Sequence, residues 1–257
     1  MGSVQPTQPV DVAPVAVEIL PVHFDAEIEA GDDLAGLIRT AAPELRDGDV
    51  LVVTQKAVSK AEGQVVDLAT IEPGARALEL AGAHSDPRVV EVILRESVRV
   101  VRQRGPLLIT ETHHGFVCAS AGVDRSNAPR PDSVVLLPRD PDASAARLRY
   151  DLETATGTRL AVIIADTMGR PLREGIIGTA IGSSGLAPLR DLTGLVDPNN
   201  YELSSTIVAI ADEIASAADL VIGKFGRVPA ALFRGLGVSG DGTARPLIRG
   251  RATDLFL

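Results

Sequence analysis

Hydrophobic positions along the chain fall into short continuous runs and a few helical stripes, separated by Gly, Pro and Asp. The run at 15–22 (VAVEILPV) predicts a first strand. Asp32 and Asp33 precede Leu34, Leu37 and Ile38 at helical spacing, so the acidic pair predicts a helix cap. VLVVT at 50–54 is a β-branched run that predicts a buried strand. Asp86-Pro87 opens a helix whose apolar face carries Val90, Ile93, Leu94, Ser97 and Val101. PLLITET from Pro106 and FVCASA from Phe116 predict a hairpin joined by His113, His114 and Gly115, and SVVLLP from Ser133 a further strand. Asp142 is expected to cap a helix carrying Leu148 and Leu152, and RLAVIIAD from Arg159 is the most apolar strand. A second amphipathic helix runs from Ile207 through Ile210, Ile214, Ala217 and Val221, and VPAALFRG from Val228 closes with a strand. Strands and helices mix without βαβ alternation, which predicts an α+β fold with largely antiparallel, mixed sheets.

Composition narrows the function classes. The 257 residues are 45% hydrophobic with 3% aromatic and no Trp, enough for a sizeable aliphatic core. Lys plus Arg number 25 against 34 Asp plus Glu, a formal charge of −9. That surface repels phosphate backbones, so a nucleic-acid partner is not expected. The single cysteine, Cys118, excludes an intramolecular disulfide framework and a Cys-based zinc site. No apolar run reaches membrane-spanning length, and the N-terminus lacks the basic-then-apolar order of a signal peptide. A cytoplasmic protein is the expectation. The Pro/Gln-rich stretch 1–14 reads as a flexible tail, leaving 15–257 as one domain.

Gly235-Leu236-Gly237-Val238-Ser239-Gly240 matches a dinucleotide fingerprint, but Pro246 and the surrounding glycines preclude the helix that must follow. Acidic residues at the ends of apolar runs are more informative. Asp166 and Thr167 after VIIA offer hard oxygen ligands for Mg²⁺ or Mn²⁺; a turn cap is the alternative. Asp124, Ser126 and Asn127 behind Gly122 can fold around a cation or phosphate, or close the hairpin as an Asx turn. Lys60 can meet a phosphate as a point charge, or stand at an ordinary solvated helix start. Arg170 and Arg173, flanked by Gly169 and Gly175, suit an anionic substrate. His113 and His114, adjacent on a strand, point to opposite faces and cannot ligate one metal.

Six segments in order carry a resemblance: TQKAVSKAEGQVV (54–66), ETHHGFVCASAGVDRSN (111–127), LLPRDPDASAARLR (136–149), VIIADTMGRPLREG (162–175), TAIGSSGLAPLRDLTG (179–194) and ADEIASAADLVIGK (211–224). Together they resemble the coenzyme F420-0:γ-glutamyl ligase family. The resemblance implies GTP-dependent amide formation between coenzyme F420-0 and L-glutamate, with Mn²⁺ or Mg²⁺ and a K⁺ requirement, in an intertwined homodimer of α+β subunits. It places Asp124 and Asp166 at metal positions with Thr167 at a second one. Gln55, Lys56, Lys60, Asn127 and the loop 222–228, including Ile222, Gly223 and Lys224, fall at the nucleotide, as does the turn 25–28. The catalytic role given to Arg170 and Arg173 comes from their position beside Asp166 and not from the family. Where members carry Gly-Leu-Pro this chain has Phe24-Asp25-Ala26-Glu27, and Gly175-Ile176-Ile177-Gly178 replaces Gly-Gln-Thr-Asp. Those departures leave two further readings open: an amide ligase for a different acyl acceptor, and a non-catalytic binding subunit of a reductase. Related actinobacterial chains continue into a reductase domain after an Asp-Leu-Phe segment, so ending at 254–257 predicts a stand-alone ligase or an excised domain.

Overall fold

The computed structural model describes residues 16–25 and 27–254. The expected tail 1–14, Val15, Ala26 and the last three residues lie outside the described residues. In chain order the elements are β1 (Glu18–Val22), α1 (Leu34–Ala41), β2 (Val50–Thr54), α2 (Gln55–Ala61), β3 (Val65–Asp67), α3 (Ala75–Ala81), α4 (Pro87–Arg95), β4 (Ser97–Arg104), β5 (Leu107–Thr112), β6 (Val117–Ala119), β7 (Ser133–Val135), α5 (Pro141–Thr156), β8 (Ala161–Arg170), β9 (Arg173–Ser184), β10 (Arg190–Asp191), β11 (Ile207–Val208), α6 (Ile210–Ile222) and β12 (Ala230–Arg234). The fold is α+β, as the pattern predicts.

A five-stranded sheet ordered β1-β12-β2-β8-β9 organises the core, and β2 with β8 is its parallel pair. Alternate residues of β2 feed two faces. Leu51 and Val53 join the α1 and α5 side with Ile38 and Leu152, while Val50 and Val52 join the α6 side with Ala211 and Ala215. Helices α3 and α4 pack with the β4-β5-β6 sheet as smaller satellite clusters.

Along β9 an extra residue, Ile181, falls between the pairs Ile164↔Gly182 and Ala165↔Ala180. The bulge reverses the alternation. Gly178 and Ala180 therefore face α6, whereas Ile181 and Gly182 face α5. A Cβ on Gly178 would stand 2.2 Å from the Ala215 carbonyl oxygen, and one on Gly182 2.3 Å from that of Pro141. Both helices thus lie directly on strand backbone.

Four expectations are corrected. Helix α4 ends at Arg95, and Ser97 and Val101 belong to β4; the Ser97 hydroxyl donates to the Ile93 carbonyl at 2.6 Å and closes the last turn. Helix α5 is capped by Asp140, whose Oδ1 accepts from Ala143 N. Asp142 sits in the first turn, two residues after the cap, where it receives the backbone N–H groups of Ser183 and Ala244. Ile207 lies in β11, ahead of the start of α6 at Ile210. Strand β8 does not stop at Asp166 but runs four residues further into the β9 hairpin. No helix among the described residues is long and apolar enough to cross a membrane.

Candidate active site

Parallel pairing of β2 and β8 ends at Thr54↔Ala165, because the chain turns from Thr54 directly into α2. The Thr54 hydroxyl accepts from Ala57 N at 3.4 Å and fixes that turn. Beyond Ala165, β8 keeps only β9 as a neighbour, so its other edge is uncovered at Asp166 and Thr167. A cavity of about 550 Å³ opens there, walled by α2, the end of α6 and the segment before β12.

Asp166 and Thr167 leave opposite faces of β8, yet both line the cavity because it wraps the uncovered edge. The Asp166 carboxylate accepts from Thr167 N at 2.8 Å. Burial pushes it up to about 6; the Thr167 N–H and Lys56 oppose this and the Asp124 charge adds to it. Asp124 contacts the Lys56 ammonium at 2.6 Å and accepts from Ser126 N at 2.7 Å. Against its own burial, Lys56 and Ser126 hold it below the usual carboxylate range. Asp124 is pinned by reciprocal backbone bonds to Val135, and its Asx contact with Ser126 coexists with the ion pair.

Helix α2 supplies two more polar groups to the cavity. Lys60 is 8% exposed at the end of the helix, not at a solvated start, and pairs with Glu27. Gln55 is 1% exposed; its Oε1 accepts from the Ser59 hydroxyl, while its Nε2 has no hydrogen-bond partner among the described residues. Asn127 lines the opposite wall with φ +55°. From the end of α6, Ile222, Gly223 and Lys224 reach the same space, and the Lys224 ammonium donates to the Thr167 hydroxyl at 2.9 Å. Phe24 N donates to the Arg227 carbonyl, and the Arg227 guanidinium to the Asp25 carbonyl, which closes that wall.

Arg170 and Arg173 stand apart. They pair across the end of the β8–β9 hairpin, roughly 13 Å along the strand from Asp166, and line no part of this cavity in the single chain. The Arg170 guanidinium donates to the Glu174 carbonyl. His113 and His114 bond different carbonyls, Arg95 for the first and Pro138 and Arg139 for the second. Cys118 is buried, and desolvation pushes its thiol up to about 12. After β12 the glycine-rich 235–240 stretch leads to a 3₁₀ turn, Arg245–Leu247, and not to the helix a dinucleotide fold needs.

Among the described residues no three His, Cys, Asp or Glu side chains converge as a metal cluster. Two carboxylates and a hydroxyl gather at this edge: Asp166 and Thr167 in the cavity wall, and Asp124 beyond it, paired with the wall residue Lys56; Asp166 is half-buried and, among the described residues, ion-paired to no cation. Such a hard, incomplete oxygen set fits a divalent cation that draws its remaining ligands from phosphate and water. Asp219, also in the cavity wall, escapes motif reading. Its one sequence signal is an acid in the last turn of a helix, where the macrodipole disfavours negative charge.

The sequence profile described as F420-0:Gamma-glutamyl ligase matches residues 25–235. Proteins named coenzyme F420:L-glutamate ligase are similar over most of the chain. That of Methanopyrus kandleri is 48% identical over 247 residues, covering 93% of this chain and 97% of its own. That of Methanothermobacter thermautotrophicus is 44% identical over 252 residues (94% and 97%). The Archaeoglobus fulgidus protein is 41% identical over 242 residues (93% and 96%).

Proposed function

The chain belongs to the F420-0:γ-glutamyl ligase family, and from that premise we propose that it joins L-glutamate to coenzyme F420-0 at the expense of GTP. The observation that carries the reading is the gathering of Lys56, Lys60, Lys224, Asp166 and Thr167 around one cavity at the open edge of β8.

Amide formation from a carboxylate in water is uphill, so the acceptor carboxylate must first be activated. In this reading GTP phosphorylates it to an acyl phosphate, and the amine of glutamate then displaces phosphate. Lys56, Lys60 and Lys224 bind and orient the polyphosphate, and they offset the negative charge that crowds the site. In this reading Asn127 and Gln55, both in the cavity wall, would donate hydrogen bonds to the nucleotide. Asp124, Asp166 and Thr167 would hold Mn²⁺ or Mg²⁺, with K⁺ as a further requirement. When bound, the divalent cation supplies charge neutralisation between phosphate and carboxylate oxygens. Lys56 then has two roles, since it releases Asp124 as it turns to phosphate.

A homodimer is part of the proposal. Leu172 is 81% exposed at the β8–β9 hairpin and Ile176 is exposed beside it, while Tyr201 and Ile207 are exposed on the segment that carries β10 and β11. A second copy would cover such apolar arms and bring Arg170 and Arg173 toward a neighbouring cavity. Light scattering of the purified chain tests this through its mass.

Mass spectrometry of F420-0 incubated with the protein, GTP, Mn²⁺ and L-glutamate tests the activity. A product heavier by one or more glutamyl units, abolished by Asp166→Ala, is expected. No mass gain from folded, GTP-binding protein refutes the reaction and favours a different acceptor or a binding subunit.

A further inference from the structure

Asp219 stands in three unfavourable circumstances at once. It lies in the last turn of α6, at the negative end of the helix dipole, with no basic residue in that turn. It is half-buried in the cavity wall. Among the described residues none donates a hydrogen bond to its carboxylate, and no cation lies within ion-pairing distance. Burial pushes its carboxyl upward, with the Lys224 charge opposing. Lys224 is the nearest candidate partner in sequence, but its ammonium is spent on the Thr167 hydroxyl. A carboxylate that opens to a cavity and has no partner within the described residues is free to take a cationic donor from outside the chain.

The ligase reading provides such a donor. The other carboxylates of the cavity are engaged: Glu27 by Lys60, and Asp166 by the Thr167 N–H. The incoming amino acid arrives as an ammonium, which cannot attack until it loses a proton.

We propose that Asp219 is a catalytic residue that receives the ammonium of the incoming glutamate and takes its proton as the amide forms. The inference rests on the acyl-phosphate reading above. The nitrogen lone pair attacks the acyl carbon and the C–N bond forms. The C–O bond to phosphate breaks, and phosphate leaves with that electron pair. The ammonium yields one proton to the Asp219 carboxylate, which frees that lone pair and hands the proton on to solvent; the second proton, lost from nitrogen as the C–N bond forms, goes to the departing phosphate. Lys224, held on Thr167 beside Asp166, keeps the phosphate side of the cavity positive, so ammonium and phosphate are drawn to different walls.

The test compares two amines on wild type, Asp219→Asn and Asp219→Glu, each with F420-0, GTP and Mn²⁺. Hydroxylamine is already neutral at pH 7 and traps an acyl phosphate as the hydroxamate without a base. Asp219→Asn is expected to lose about 100-fold or more in glutamate ligation, to keep hydroxamate formation, and to melt no lower than wild type. Asp219→Glu is expected to recover part of the glutamate rate. Glutamate ligation by Asp219→Asn within about threefold of wild type overturns the proposal, as does an equal fall with both amines. Absence of hydroxamate with wild-type protein refutes the acyl-phosphate reading itself, and the inference with it.

Discussion

Replacing Gly178 by Ala probes the junction between the sheet and the cavity wall. The new methyl would stand 2.2 Å from the Ala215 carbonyl oxygen and 2.7 Å from its carbon, both backbone atoms of α6. Ordinary carbon–oxygen contact is about 3.3 Å or more, so α6 must retreat by roughly 1 Å. Two bonds cross this junction and would stretch: the Ser216 hydroxyl to the Gly178 carbonyl at 2.8 Å, and Ala180 N to the Asp212 carboxylate at 2.9 Å. Overpacking of this kind costs about 1–3 kcal/mol, and weakening the two bonds adds to it, so about 3 kcal/mol is expected. At roughly 2–4 °C per kcal/mol for a chain of this size, Tm should fall by about 6–12 °C in calorimetry. Gly169→Ala is the control, since a Cβ there meets nothing within 4 Å. The retreat of α6 also carries Lys224 away from Thr167, so the KM for GTP should rise with the loss of stability. A Gly178→Ala protein that melts within about 2 °C of wild type refutes the direct seating of α6 on β9.

Further outcomes are expected elsewhere. Asp49→Ala leaves the Arg234 guanidinium, which now meets the buried Asp49 carboxylate at 3.0 Å, with only the Glu44 carbonyl, and should destabilise the fold by about 1–3 kcal/mol in urea titrations. Cys118 should resist Ellman's reagent at pH 8 until the protein is unfolded, because its thiol stays protonated. Its folded pKa of about 12 lies above its ordinary value, so the unfolded chain loses the proton first as pH rises. Stability should therefore fall above about pH 9, and Cys118→Ala should flatten that slope. Lys224→Met should raise the KM for GTP by about tenfold while leaving Tm within a few degrees, read by steady-state kinetics and calorimetry.

The core strands and most helices are legible because each carries one unambiguous period. VLVVT can only be a buried strand between Asp49 and α2, and Asp33 before Leu34 caps as the spacing says. The α4–β4 boundary is less legible. Val90, Ile93, Leu94, Ser97 and Val101 satisfy a helical period, while Val98 and Val100 satisfy a strand one. The long β8–β9 hairpin is illegible for a different reason. Past Asp166 both faces of the ribbon meet solvent in the single chain, so no burial pattern marks it and Gly169, Pro171 and Gly175 read as loop. Read as a loop, the segment would fold Arg170 and Arg173 back beside Asp166; as a ribbon it carries them away. Lys56, Lys60, Asn127 and Lys224 were legible as a set only through their resemblance to a family; no local pattern joins residues so far apart. Asp219 lay hidden because its helix reads as an ordinary amphipathic stripe.

The bulge at Ile181 divides β9 into two halves that can change independently. On one side of it the strand answers to α5, and on the other to α6 and the open edge of β8. Deleting that one residue would put the far half out of phase, turning Gly178 toward α5 and a bulkier neighbour toward Ala215. Substitution beyond the bulge leaves the α5 contact untouched. The reach and chemistry of the hairpin can therefore drift without renegotiating the centre of the molecule, whereas the length of the strand cannot.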